Sequence, residues 1–243
     1  MKPLAILQHE TTQGPGVLRE HLDSLGIPCQ LFCPPLDGDA PRQARDYCAV
    51  VSLGSNHCAN ENLPWIAAEL ALLRDAQQHD LPVLGHCFGA QMLARAMDAR
   101  VWRNACAHIG WSQVWVTQPA QQLMHLPGQT TIFHWHYDTF DIPRGATRTM
   151  YGKHCLNKGF CRGRQWAFQG HLEVTPESIQ AWCAAGHDEL ECARGPAVQT
   201  EAQILAEIPA RALELRATAR QVYGAWTRQI ERPVMAVSGG WEA

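Results

Sequence analysis

The chain has 243 residues, with 20 Lys+Arg against 23 Asp+Glu, a formal net charge of -3 and a pI near 6.4. It therefore lacks the cationic field that grips nucleic acid or an acidic membrane surface. Mean hydropathy is -0.23, and the apolar runs fall far short of the roughly 18 residues of a membrane span.

Leu4 to Leu7 reads as a first strand, and these four apolar residues are fewer than the ~7 to 15 of a signal peptide, so a cytoplasmic protein is expected. Gly14-Pro15-Gly16 opens a helix carrying Leu18, Leu22 and Leu25 on one face, and Ile27 to Phe32 is a second strand. Pro34-Pro35 and the turn residues from Asp37 to Pro41 precede Cys48 to Leu53, a continuous apolar run of the kind buried on both faces of a parallel sheet. Pro64 opens a helix through Gln78, and Leu81 to Gly85 forms a fourth strand. Strand and helix alternating in this way predict an α/β fold, a doubly wound and mostly parallel sheet with helices on both faces.

Past residue 100 the texture changes. Arg100 to Arg103, Ser112 to Thr117, Thr131 to His136 and Gln165 to Gln169 are Trp-rich or β-branched, with little chain between them for helices, which predicts a small antiparallel extension. Pro176 to Ala185 reads as a helix. Glu201 to Arg228 reads as one or two more, with Pro209 starting the second or kinking the pair. A single domain over 1–243, ending in a helical segment about 198–230, accounts for the whole pattern.

Ten cysteines and twelve histidines invite disulfide or metal readings. No secretory signal, Cys-x-x-Cys pair or His-Glu-x-x-His motif accompanies them, so neither a metal nor a cofactor is implied. His134 and His136 point the same way on a strand but show no third ligand in the sequence. With the acidic balance, Trp102, Trp111, Trp115 and Trp166 read as core or interface residues rather than a base-stacking platform.

One cysteine is set apart. Gly85-His86-Cys87-Phe88-Gly89-Ala90-Gln91 lies where an apolar strand runs into a helix, the Gly-x-nucleophile-x-Gly elbow with Cys as nucleophile. The turn brings strand and helix so close that positions 85 and 89 tolerate little beyond hydrogen. Downstream, His171 and Glu173 are two apart in an extended segment and share a side. His171 can then face a nucleophile while Glu173 accepts from its other nitrogen. Alone, this pair also fits a solvated surface pair; its conjunction with the elbow points to a Cys-His-Glu triad.

The markers Pro82-Val83-Leu84-Gly85-x-Cys87-x-Gly89-x-Gln91, Ile109-Gly110-Trp111, Phe133-His134-Trp135-His136-x-Asp138-Thr139-Phe140 and Phe168-Gln169-x-His171-x-Glu173 together resemble the class I, triad-type glutamine amidotransferases. The likeness is strongest to stand-alone relatives of the amidotransferase domain of GMP synthase. It implies a flavodoxin-like fold that releases ammonia from glutamine through a γ-glutamyl thioester. Cys87 would be nucleophile, His171 base, Glu173 its support and Gln91 a glutamine-binding residue. Backbone donors at Phe88 and the Gly54-Ser55 loop would hold the oxyanion, and His136 would border the pocket.

The chain departs from the family pattern at four places. The usual Gly-Gly-Pro reads Gly54-Ser55-Asn56, so slow hydrolysis by the isolated chain is expected. The Glu before Ile-Gly-Trp is His108, Asn-Gln-Ala-Phe reads Asn157-Lys158-Gly159-Phe160, and Gly170 replaces a bulky residue. Lys158 could accept a substrate carboxylate or be a solvated loop residue. The resemblance implies glutamine or a γ-glutamyl compound as substrate and is compatible with a synthetase partner or a homodimer. The competing readings are a γ-glutamyl peptide or amide hydrolase and a non-catalytic binding or regulatory protein.

Overall fold

The computed structural model describes residues 1–230. The last residues of the single-domain expectation, 231–243, lie outside them. The apolar runs of the first half become four strands: β1 (Leu4–Leu7), β2 (Cys29–Phe32), β3 (Val50–Ser52) and β4 (Val83–His86). Between them run α1 (Gly16–Ser24), the short α2 (Pro34–Asp37) and α3 (Pro64–Gln78), and α4 (Phe88–Ala96) follows β4. Then come β5 (Val101–Val116), α5 (Gln118–Met124), β6 (Gln129–Phe140), β7 (Thr147–Tyr151), β8 (Gly159–Arg162) and β9 (Gln165–Phe168). The described residues close with α6 (Pro176–Ala185), α7 (His187–Cys192) and α8 (Glu201–Thr227).

All nine strands join one sheet in the order β2-β1-β3-β4-β9-β8-β7-β5-β6. The pairings from β2 through β9 are parallel, and β8, β7, β5 and β6 extend the sheet in antiparallel fashion. Every residue of β1, β3 and β4 is buried, because helices cover both faces. Leu4 and Ile6 join a core with Leu18 and Leu22 of α1 and Leu215, Val222 and Trp226 of α8. Ala5 and Leu7 point the other way, to Ile66 and Leu73 of α3 and Leu93 of α4. Among the described residues no helix is long and apolar enough to cross a membrane.

The second half differs from its sequence reading in detail. Arg100–Arg103 and Ser112–Thr117 fall at the two ends of one 16-residue strand, β5, whose pairing with β6 shifts register between Arg103 and His108. Much of the first half of β5 faces solvent, so it carries no apolar periodicity to read. The short strands β7 and β8 escaped for the same lack of pattern. Pro209 sits inside α8, which runs unbroken for 27 residues. The proline lies on the exposed side, where water can satisfy the carbonyl its ring leaves unbonded.

One register places the chemistry. β9 comes late in sequence yet inserts beside β4, pairing Phe168 with His86. The chain segments leaving β4 and β9 therefore emerge side by side at the carboxyl ends of the parallel strands, where ligands bind in open α/β sheets.

Candidate active site

Cys87 occupies the turn between β4 and α4 with φ 50° and ψ -107°. Non-glycine residues avoid this region, and holding one there costs on the order of 1–3 kcal/mol. The flanking glycines explain how the turn is held. A Cβ on Gly85 would lie 2.5 Å from the Gly89 carbonyl oxygen, and one on Gly89 would run into the Ser52 carbonyl. The Cys87 N–H donates to Phe168 of β9 at 2.9 Å, and its carbonyl accepts the Gln91 N–H at 3.1 Å.

His171 is set by a backbone bond from its N–H to the Phe133 carbonyl at 2.8 Å. Its Nδ1 holds Glu173 Oε1 at 2.7 Å, which leaves Nε2 for the side of Cys87, with which His171 lines one cavity. Trp182 stands edge-on to the ring at 4.8 Å between centroids. Burial disfavours charge on His171. The Glu173 carboxylate, the Cys87 sulfur and their hydrogen bonds outweigh it, pushing the imidazolium up to about 10. Burial likewise opposes charge on Glu173, but His86 and His171 draw its carboxyl below the usual range.

Sequence reasoning missed His86. Its Nδ1 lies 3.5 Å from Glu173 Oε2, and its Nε2 meets the Tyr223 hydroxyl of α8 at 3.2 Å. A carboxylate only accepts, so the proton belongs on Nδ1 and the Tyr223 O–H donates to Nε2. Burial lowers the pKa of His86 and keeps the ring neutral. As an unmarked residue between two glycines of a known motif, His86 carried no signal of this role.

Gln91 turns its amide between the Asp138 carbonyl and Gln169 Oε1, both at 3.4 Å, while Gln169 Nε2 reaches the Cys87 sulfur at 3.7 Å. Ser55, Cys87, Phe88, Gln91, His136 and His171 line one cavity of about 300 Å³, with Arg103, Asp138 and Glu189 among its other walls. The two remaining sequence candidates stand behind it. Glu173 is buried under His171, and Gly54 lies so close to that ring that a Cβ would sit 2.9 Å from its Cε1.

The loop that lacks Gly-Gly-Pro has other anchors. Glu10 Oε1 accepts from the Asn56 N–H at 3.0 Å and the Ser55 hydroxyl at 3.3 Å. Gln13 donates to the Asn56 side chain at 2.9 Å, and the Leu53 carbonyl accepts the Gly89 N–H at 3.0 Å. Phe88 opens α4, so its N–H has no intrahelical acceptor.

Lys158 is neither solvated nor turned to the cavity. It is 1% exposed, and its ammonium meets His108 Nδ1 at 2.8 Å, His136 Nε2 at 2.9 Å and His134 Nδ1 at 3.4 Å. The third imidazole that sequence could not supply is thus His108, one strand away, and the three nitrogens converge on an ammonium. Burial and the Lys158 charge hold all three rings neutral, His108 down to about 2. Gly170 belongs to the same cluster, since a Cβ there would press within 2.8 Å of His134 Cε1. Three of the four departures from the family pattern therefore meet at one buried point.

A strand-to-helix cysteine elbow, a histidine beside it and a buried glutamate are the features by which the sequence resembles the class I glutamine amidotransferases. Residues 22–182 match the family model "Glutamine amidotransferase class-I", and the chain belongs to that family. The crystal structure of a glutamine amido transferase from Methylobacillus flagellatus is 32% identical, with a TM-score of 0.92 covering 96% of each chain. A glutamine amidotransferase from Thermotoga maritima is 27% identical, with a TM-score of 0.84 over 95% of this chain and 98% of that one. A glutamine-hydrolyzing GMP synthase of Agathobacter rectalis is 22% identical over 139 residues, 51% of this chain and 25% of that protein. A Saccharomyces cerevisiae glutamine amidotransferase candidate, YLR126C, is 27% identical over 61% of each chain, so the match spans under two thirds of that relative.

Proposed function

We propose that the chain is a cysteine-nucleophile glutaminase domain that frees ammonia from the side-chain amide of glutamine, or of a γ-glutamyl compound, for an acceptor bound by a partner. The observation that carries this reading is the Cys87–His171–Glu173 line, with the nucleophile in a strained positive-φ turn and Nδ1 of the base held at 2.7 Å. The thiolate attacks the amide carbon. The oxygen of the tetrahedral intermediate lies against the Phe88 and Ser55 N–H groups, and His171 hands its proton to the departing ammonia. The resulting γ-glutamyl thioester is cleaved by water that His171 deprotonates, and Glu173 keeps the imidazolium stable throughout.

The acceptor site is assigned to a partner because the matched GMP synthase is four times the length of its match to this chain; the described residues after Glu173 form mainly helices. One of those helices completes the site, since Tyr223 of α8 bonds His86. The chain is accordingly proposed to act as one domain.

The reading is tested by incubating the protein with glutamine and following ammonia and glutamate, with mass spectrometry of Cys87 for a γ-glutamyl adduct. Hydrolysis that disappears in Cys87→Ala supports it. Absence of both turnover and adduct with every γ-glutamyl amide overturns it in favour of a non-catalytic protein.

A further inference from the structure

Beneath the loop at Gly54 lies a buried polar group that the reaction described above does not use. His9 follows β1 and is 1% exposed, and Glu69, on α3, is 3% exposed. His9 Nε2 meets Glu69 Oε2 at 2.8 Å, Ser52 donates to Glu69 Oε1 at 2.6 Å, and His9 Nδ1 meets the Gly54 carbonyl oxygen at 3.1 Å. A carbonyl oxygen can only accept, so Nδ1 carries a proton whatever the state of the pair. The Glu69 charge and hydrogen bonds overcome the effect of burial and raise the His9 pKa. The His9 ring also packs edge-on to Phe88, with centroids 4.9 Å apart, and stacks on Trp65 at 5.3 Å.

An ion pair sealed in a core is weak as a source of stability, so its placement asks for another reason. The peptide plane provides one. In a trans peptide the carbonyl and the following N–H point in opposite directions. The Gly54 carbonyl is held from the side of His9, so the Ser55 N–H of the same peptide points away from His9. Ser55 lines the cavity with Cys87 and Phe88.

We propose that the His9–Glu69 pair is a positioning device for the oxyanion site: it holds the Gly54 carbonyl from behind and so aims the Ser55 N–H at the oxygen that forms beside Cys87. The inference rests on the reading that Cys87 attacks an amide carbon. It assigns His9 the rigidity that a proline would give the loop, and the packing on Phe88 extends the same support to the second donor.

The test uses His9→Leu, which removes the donor, His9→Asn, whose amide nitrogen can take the place of Nδ1, and Glu69→Gln, which keeps the shape of the pair without its charge. Three quantities are measured: kcat and KM for glutamine, the alkylation rate of Cys87 by iodoacetamide, and the affinity of the γ-aldehyde analogue of glutamine. Alkylation forms no oxyanion and reports that the folded pocket and nucleophile are intact. The aldehyde adds the Cys87 sulfur to its carbonyl carbon and places the resulting oxygen in the oxyanion site. In His9→Leu, kcat should fall by roughly 10² to 10³ with KM little changed, the loss typical of one oxyanion donor. Aldehyde affinity should fall with it, alkylation should keep its rate, His9→Asn should recover part of the loss, and Glu69→Gln should fall between. Wild-type kcat in His9→Leu overturns the proposal, as does an equal loss of alkylation and turnover. A wild-type protein that neither hydrolyses glutamine nor captures the aldehyde instead overturns the catalytic reading and this inference with it.

Discussion

His86 Nδ1 stands 3.5 Å from Glu173 Oε2 while His171 Nδ1 holds Glu173 Oε1 at 2.7 Å, so one buried carboxylate lies between two imidazoles. The carboxylate orients His171 and has His86 on its other side, held without a hydrogen bond to it and fixed by Tyr223 of α8. Replacing His86 by Phe should leave the Tyr223 hydroxyl without its partner and remove the imidazole that faces Glu173 Oε2, an oxygen with no hydrogen bond of its own. The expected result is a stability loss of about 1–3 kcal/mol and a lower kcat at similar KM. Urea denaturation and steady-state kinetics check both, and a variant indistinguishable from wild type refutes the role.

The anchored loop changes what the sequence alone suggested about Gly54-Ser55-Asn56. Restoring the family pattern with Ser55→Gly and Asn56→Pro removes the Ser55 hydroxyl and the Asn56 N–H, both of which donate to Glu10. Proline has no N–H to replace the second. The double change is therefore expected to lower kcat, and an increase would show that the wild-type loop is the limiting defect.

Lys158→Met should destabilise the fold from behind the cavity, where Lys158 supports the wall residue His136. It leaves His108 Nδ1 and His136 Nε2 facing each other without a donor in a buried space. The cost is expected at about 1–3 kcal/mol, or roughly 2–4 °C of Tm per kcal/mol in a chain of this size. Differential scanning calorimetry reads it directly, and an unchanged Tm would mean that the cluster adds nothing to stability.

The pH dependence of stability follows from signs. His171 has its folded pKa raised to about 10 from 6.5, and His9 is raised too. Between 6.5 and those values the folded chain keeps protons that the unfolded chain has released, so stability falls as pH rises above 6.5. Lys158, lowered from 10.5 to about 8, acts in reverse, so the fall should be steepest between pH 6.5 and 8. Below 6.5 the four buried imidazoles with lowered pKa, His86, His108, His134 and His136, reverse the slope, because the unfolded chain takes up protons that they refuse. A stability maximum near pH 6.5 is expected from urea midpoints measured across the range. A maximum above pH 8 would contradict the His171 and His9 assignments.

Catalysis should have a separate alkaline limb. The departing ammonia takes its proton from the His171 imidazolium, so kcat should decline as pH passes through about 10. In Glu173→Gln the loss of the carboxylate should move that limb to lower pH. A limb at the same place in both proteins would show that another group titrates there.

Much of this protein was legible in its sequence because the relevant constraints are local. The alternation of apolar runs and helical periodicity through Leu84 dictates a parallel sheet covered on both faces, since no other packing buries β1, β3 and β4 completely. The glycines at 85 and 89 announce the elbow because no side chain fits where strand and helix touch. The His171 and Glu173 side chains meet as their two-residue spacing suggested, although their segment is an isolated bridge followed by bends rather than a strand.

What the tertiary structure alone decided concerns pairs distant in sequence. The insertion of β9 beside β4 brings His171 to Cys87. Strand pairing and the packing of α3 and α8 determine that Glu69 reaches His9, that Tyr223 reaches His86, and that His108, His134 and His136 share one ammonium. Polar residues carry no periodicity that marks such partners. Each buried donor or acceptor must find some partner, but sequence does not say which, because the choice depends on where the sheet register and the helix packing leave the side chains. For that reason the His9 imidazole carried no signal in the sequence and Lys158 read only as a carboxylate acceptor or a solvated loop residue, and only the folded chain, by closing water out around them, makes their partners obligatory.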